Sequence, residues 1–155
     1  MKKLLLAITL IAALALVALA AATTSRNRAV SGAVTLSTEL VDYAGIVHVV
    51  TQVPGNSCTP TDPCQVFVNL AGVNGAGATS GGVYQFVGAA SANLVTTLPG
   101  LVSLDVRGFR AVPPNPTVPT DPMRVRVDLV LDDLGVATVT GAQLQFDSCG
   151  VDACP

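Results

Sequence analysis

The chain has 155 residues, half of them apolar, with only 12% charged side chains and a formal net charge of −2. Both lysines, Lys2 and Lys3, lie at the N-terminal end, so the rest of the chain sets six arginines against ten acids and is mildly acidic. That balance excludes a nucleic-acid-binding face, which needs a basic patch, and the length is that of one domain with a real core.

Residues 1–22 read as a signal peptide. Met1-Lys2-Lys3 is a positive start, Leu4 to Ala20 is apolar apart from Thr9, and Ala18-Leu19-Ala20 and Ala20-Ala21-Ala22 both fit a small-x-small cleavage site. The apolar run approaches the length of a membrane span. The small residues at its end, and Arg26 and Arg28 beyond it, favour export with cleavage over a retained anchor. Residues 23–155 are then expected to form a single secreted or cell-surface domain, with no membrane contact after cleavage.

Past the signal, nearly every periodic stretch alternates with a period of two, and none carries the period and caps of a helix. Strands are expected near 32–41, 45–53, 65–71 and 82–87, and again near 92–98, 101–112, 123–132 and 136–146. In the first of these, Val30, Val34, Leu36 and Leu40 share one face, while Ser31, Thr35, Ser37 and Glu39 share the other. A first strand with a polar tail at Thr23 to Arg28 is a candidate assembly strand, able to pair with its own sheet or with that of a neighbouring copy. A turn is expected at Asp42 to Ala44, with Tyr43 as an exposed aromatic platform. Ile46 to Val53 is largely apolar, as in a strand buried on both faces. From Leu101 to Arg107 the pattern alternates, then changes phase at Gly108, the mark of a bulge or of a strand passing between sheets. The clearest half-buried strand sets Met123, Val125, Val127, Leu129 and Leu131 against Arg124, Arg126 and Asp128.

The chain also echoes itself. Val53-Pro54-Gly55-Asn56-Ser57-Cys58-Thr59-Pro60-Thr61-Asp62-Pro63 returns as Val112-Pro113-Pro114-Asn115-Pro116-Thr117-Val118-Pro119-Thr120-Asp121-Pro122. Val66, Val68 and Leu70 return as Val125, Val127 and Leu129, and Gly81, Gln85 and Phe86 as Gly141, Gln145 and Phe146. This order points to tandem duplication, with repeats at about 30–87 and 88–147. The expected fold is all-β: an antiparallel β-sandwich of about eight strands built from two four-stranded repeats, with Asp62 superposed on Asp121 in the paired loops, and Phe86 on Phe146, the two phenylalanines being paired core anchors.

Four cysteines in an exported chain read as two disulfides. Cys58 and Cys64 are missing together from the second copy, where Thr117 and Met123 stand, which pairs them and leaves Cys149 with Cys154. The spacings are too wide for a zinc ribbon.

No stretch carries recognisable catalytic chemistry, so no catalytic residue, metal or cofactor is expected. His48, the only histidine, lies in an alternating strand at an outward polar position, and there is no Gly-x-Ser-x-Gly elbow to supply a nucleophile. The Pro-Thr-Asp-Pro loops and Asp132-Asp133 read as turns closed by Thr or Asp oxygens. Glu39 is the only glutamate and has no second carboxylate marked as its partner. Gly72 to Gly82 lacks the lysine of a phosphate loop and reads as a flexible connection. The chain is therefore expected to be a non-enzymatic structural or interaction subunit of the cell surface, extracellular matrix or a filament. Its expected partner is itself, as a homo-polymer, or another surface protein. The alternative is an extracellular polysaccharide- or protein-binding module using the Pro-rich and Gly-rich loops.

Overall fold

The computed structural model describes residues 22–148. In chain order the strands are β1 (Ala22–Thr35), β2 (Leu40–Val53), β3 (Cys64–Gly77), β4 (Val83–Val87), β5 (Ala89–Leu94), β6 (Gly100–Val112), β7 (Asp121–Leu131) and β8 (Ala137–Phe146). Alternation drives them. Val66, Val68 and Leu70 on β3, and Val125, Val127 and Leu129 on β7, point inward and are buried. Each such side chain contributes about 1.5–3 kcal/mol by leaving water. The residues between them, Gln65, Phe67 and Asn69, or Arg124, Arg126 and Asp128, face outward. Apolar inside and mostly polar outside is the reverse of a lipid-facing barrel.

Across the sheet the order is β1-β2-β3-β4-β6-β7-β8, every ladder antiparallel, with β5 pairing β3. β4 and β5 are one line of chain broken at Gly88, whose φ is 129°. The Leu70 N–H donates to the Gly88 carbonyl at 3.1 Å. Pairing with β3 therefore runs on through the break, from Val73 opposite Phe86 to Cys64 opposite Leu94.

The expected sandwich gives way to one continuous antiparallel sheet, curled until β1 stands beside β8 and a barrel is nearly closed. The two halves are joined edge to edge, with Gln85, Phe86 and Val87 pairing Val112, Ala111 and Arg110. Register shifts at Ile46/His48, Arg107/Phe109 and Asp128/Leu129 supply local bends that help the sheet curl. The phase change at Gly108 is the second of these.

Several boundaries move. β1 begins at Ala22 and absorbs the expected polar tail. Asp42 to Ala44 lie inside β2, and the turn falls at residues 36–39, where the Leu36 N–H donates to the Glu39 carbonyl at 2.9 Å. β3 runs on to Gly77, so half of the expected flexible glycine connection is strand.

The echo between the halves holds in part. β3 and β7 each follow a Pro-rich loop and bury the matching trio. Phe86, however, stands opposite Val73 towards the end of β3, whereas Phe146 stands opposite Met123 at the start of β7. Phe86 is fully buried and Phe146 only partly. Asp62 lies in an exposed loop, while Asp121 opens β7 and is buried. The expected superposition of these pairs therefore does not hold.

Candidate functional site

Among the described residues the ring of strands lacks a ladder in two places, along β5 beside β6 and at the seam between β1 and β8, where the two ends of the sheet meet. At the seam, the inner edge of β1 is zipped to β2 along its whole length, from Ala22 opposite Val53 to Thr35 opposite Leu40. Its outer edge meets β8 with no ladder between them. Side chains close the gap instead. The Ala137 N–H donates to Thr24 Oγ1 at 3.3 Å, and Arg28 Nη2 donates to the Thr140 carbonyl at 2.9 Å. Further along, the Leu144 N–H donates to the Tyr43 hydroxyl at 3.1 Å. Seven positions around the sheet, each antiparallel to the next, leave β1 and β8 running the same way. The antiparallel pattern used everywhere else therefore cannot close the ring.

Tyr43 is thus not an exposed platform. It is 5% exposed and packs edge-on against Phe86, ring centroids 5.8 Å apart. It fits because its partner across the ladder is Gly32, where a side-chain carbon would sit 2.9 Å from the tyrosine oxygen. The assembly-strand residues divide. Val30, Val34 and Leu36 are buried together, but Leu40 lies beyond the turn, opens β2 and is 44% exposed.

The turn between β1 and β2 is held by a clasp centred on Glu39. Glu39 accepts hydrogen bonds from the Thr79 and Ser80 N–H groups at 2.9 Å each, from Ser80 Oγ at 2.6 Å and from the Tyr84 hydroxyl at 2.9 Å. The Ser80 hydroxyl, then the two backbone donors, lower its carboxyl from 4.5 to about 2. Gly77 leaves the room, since any side chain there would meet this carboxylate. Tyr84 is buried and also touches the Thr38 hydroxyl at 3.1 Å. The Thr38 bond pulls its phenol down, but burial, Glu39 and Asp121 outweigh it and raise the phenol above its ordinary 10.0. Asp121 accepts the Ser37 N–H at 3.2 Å. A lone glutamate at a hairpin tip, in a chain with a Thr-Ser pair next to glycines, was the available signal. Its partners are far away along the chain, so no local pattern joined them.

The remaining expected residues fall as follows. Cys58 and Cys64 form a disulfide, Cα atoms 4.9 Å apart, at the mouth of the loop they bracket. Cys149 and Cys154 lie outside the described residues, as does nearly all of the expected signal peptide. Asp62 sits in a turn whose N–H donates to Thr59 Oγ1 at 3.1 Å, and Asp132 Oδ1 accepts from Leu134 and Val136, as turns of this composition predict. Arg124 and Arg126 face outward in ion pairs with Asp105 and Asp128. Such exposed pairs contribute about 0–1 kcal/mol. His48 is exposed on β2, with Nε2 2.8 Å from Ser25 Oγ on β1. Among the described residues no carboxylate bonds its other nitrogen, so the pair lacks the group that orients a catalytic histidine. Among the described residues there is also no grouping of three metal-ligating side chains.

No protein-family model, no curated protein and no solved structure matches the chain. Its function has to be read from its own residues.

Proposed function

We propose that the chain is an exported, non-enzymatic structural subunit of the cell surface, extracellular matrix or a filament, which assembles by exchanging β1 between copies. The observation that carries this reading is the seam: β1 is terminal in the described sheet, bonded by a ladder on one edge and by side chains alone on the other. A strand given up to a second copy re-forms there the ladder and core contacts it leaves, so the net cost of exchange is confined to opening the turn at 36–39. Main-chain pairing supplies affinity, and Val30 and Val34, buried in the groove, supply register. The Cys58–Cys64 disulfide supports an oxidising compartment. The sparse charge leaves a surface poorly protected against association. Duplication of a three-stranded meander, β2-β3-β4/β5 and β6-β7-β8, accounts for the shared loop and trio and stands as part of the same proposal.

Ser31 and Ala44 are opposed in the β1–β2 ladder and both exposed, so the Ser31→Cys/Ala44→Cys variant tests exchange. If β1 is exchanged, the new disulfide joins different chains, and assembled protein runs as a covalent ladder on a non-reducing gel. Assemblies that imaging shows intact, yet which run as monomers on that gel, would exclude exchange.

A further inference from the structure

The outer face of the sheet carries a depression that neither the seam nor the clasp explains. Where β2, β3 and β5 lie side by side, the ladders set Val50, Phe67 and Ser91 in one row and His48, Asn69 and Ala89 in the next. These six side chains line a hollow of about 370 Å³, within the range of small-molecule sites. The hollow exists because β5 contributes only small residues there. Ala89 and Ser91 do not rise to the height of the ring beside them, so Phe67 stays 37% exposed.

The polar groups around that ring have capacity to spare. Asn69 Oδ1 accepts the Ala71 N–H at 2.8 Å, which leaves the amide NH₂ without a protein partner among the described residues. The Ser25 contact fixes His48 through Nε2 and leaves Nδ1 available. The Ser91 hydroxyl is likewise unpaired among the described residues. No carboxylate, lysine or arginine lines the hollow.

We infer that this hollow binds an uncharged glycan, with one sugar ring stacked on Phe67 and its hydroxyls bonded to Asn69, Ser91 and His48. A sugar ring has an apolar C–H face and a polar rim, and the array offers an aromatic face inside a polar rim. An aliphatic ligand would leave the three polar groups buried without partners, which is costly. An extended peptide is read chiefly through its main chain at a free strand edge, and Phe67 stands on β3, whose main chain is paired on both sides here, to β2 and to β5. An anionic ligand finds no cation. The open sheet face suits about one or two units in the interior of a longer chain. The proposed platform is thus Phe67 on a strand, in place of Tyr43 or the loops.

The test is a titration of the purified, isotopically labelled protein, followed by amide NMR, with cellohexaose, maltohexaose and mannohexaose, and with anionic hexagalacturonate as control. At least one neutral hexamer is expected to shift the amides of His48, Phe67, Asn69 and Ser91 saturably. Phe67→Ala should weaken that binding about tenfold by removing the stacking surface. Ser91→Leu, which fills the hollow without adding charge, should abolish it. Both positions are exposed, so both variants should keep the melting temperature of the parent. The inference is overturned if no neutral hexamer shifts these amides, if binding survives both variants, or if hexagalacturonate binds more tightly than every neutral hexamer. Assembly is read separately, by gel and imaging, so its failure leaves this result intact.

Discussion

One carboxylate, Glu39, holds two hairpin ends together, and its ionisation should be visible in the stability of the protein. Its carboxyl lies at about 2 in the folded chain against an ordinary 4.5. Between those values the unfolded chain takes up a proton that the folded chain refuses. The stability Glu39 contributes is therefore complete above about pH 4.5 and is lost as the pH falls towards 2. Other carboxylates also protonate in that window, so the readout is the difference between two curves. Melting temperatures of wild type and Glu39→Gln should differ most at neutral pH, with the wild type higher, and converge towards pH 2. Parallel curves over the whole range would show that the carboxylate does not hold the clasp. The substitution is isosteric, and it removes the negative charge that four donors share at 2.6–2.9 Å.

At the scale of single elements, the curl of the sheet depends on where two strands come unusually close. Gly45 on β2, φ 156°, lies opposite Val73 beside the register shift at Ile46/His48. A methyl group there would run into the Gly72 carbonyl and the Val73 Cα, both main chain and unable to swing aside. Gly55, in the turn after β2, has a φ of 55° and nothing within 4 Å of where a side chain would begin. The two glycines separate collision from conformation. Gly55→Ala should cost about 1 kcal/mol, the price of a left-handed residue. Gly45→Ala should cost about 2–3 kcal/mol or more, because the ladder must also shift. Urea denaturation of both variants tests the ranking, and equal losses would mean that the close approach between β2 and β3 is not tight.

For the whole molecule, the decisive fact is an odd number of strand positions. With seven positions in an antiparallel ring, the first and last strands are parallel, and closure falls to Thr24, Arg28 and Tyr43. Tyr43→Phe keeps the ring against Phe86 and removes only the acceptor for the Leu144 N–H. Leu144 is 4% exposed, so its N–H would be left buried and unpaired, at a cost of about 1–3 kcal/mol. Hydrogen exchange should then quicken at Leu144 and along β1 and β8, with β3 and β7 much less affected. Unchanged exchange at Leu144 would show that the seam is closed by something other than this bond. If β1 is the exchanged strand, the same variant should assemble faster, since the seam must open along with the β1–β2 ladder.

Much of this architecture was legible in the residues. Alternation is local and reports which face of a strand is buried, so β6, β7 and β8 were placed nearly to their ends, and the bulge announced itself as a change of phase at Gly108. The Cys58–Cys64 pairing could likewise be read from two cysteines lost together from the second Pro-rich loop. Tertiary structure alone decided what joins what across the sheet. Whether two halves stack as a sandwich or join as one curled sheet depends on the short ladder from Gln85–Val112 to Val87–Arg110, and nothing in either segment marks the other as its partner. The same holds for the bond from Tyr43 to Leu144 and the clasp from Glu39 to Ser80, made between residues distant in the chain. It holds too for the hollow at Phe67, which exists because β5 happens to lie alongside with small side chains. Periodicity encodes the burial of a face. It carries no address for the neighbour that face or edge will meet, and in this protein the seam, the clasp and the hollow are all made by such neighbours.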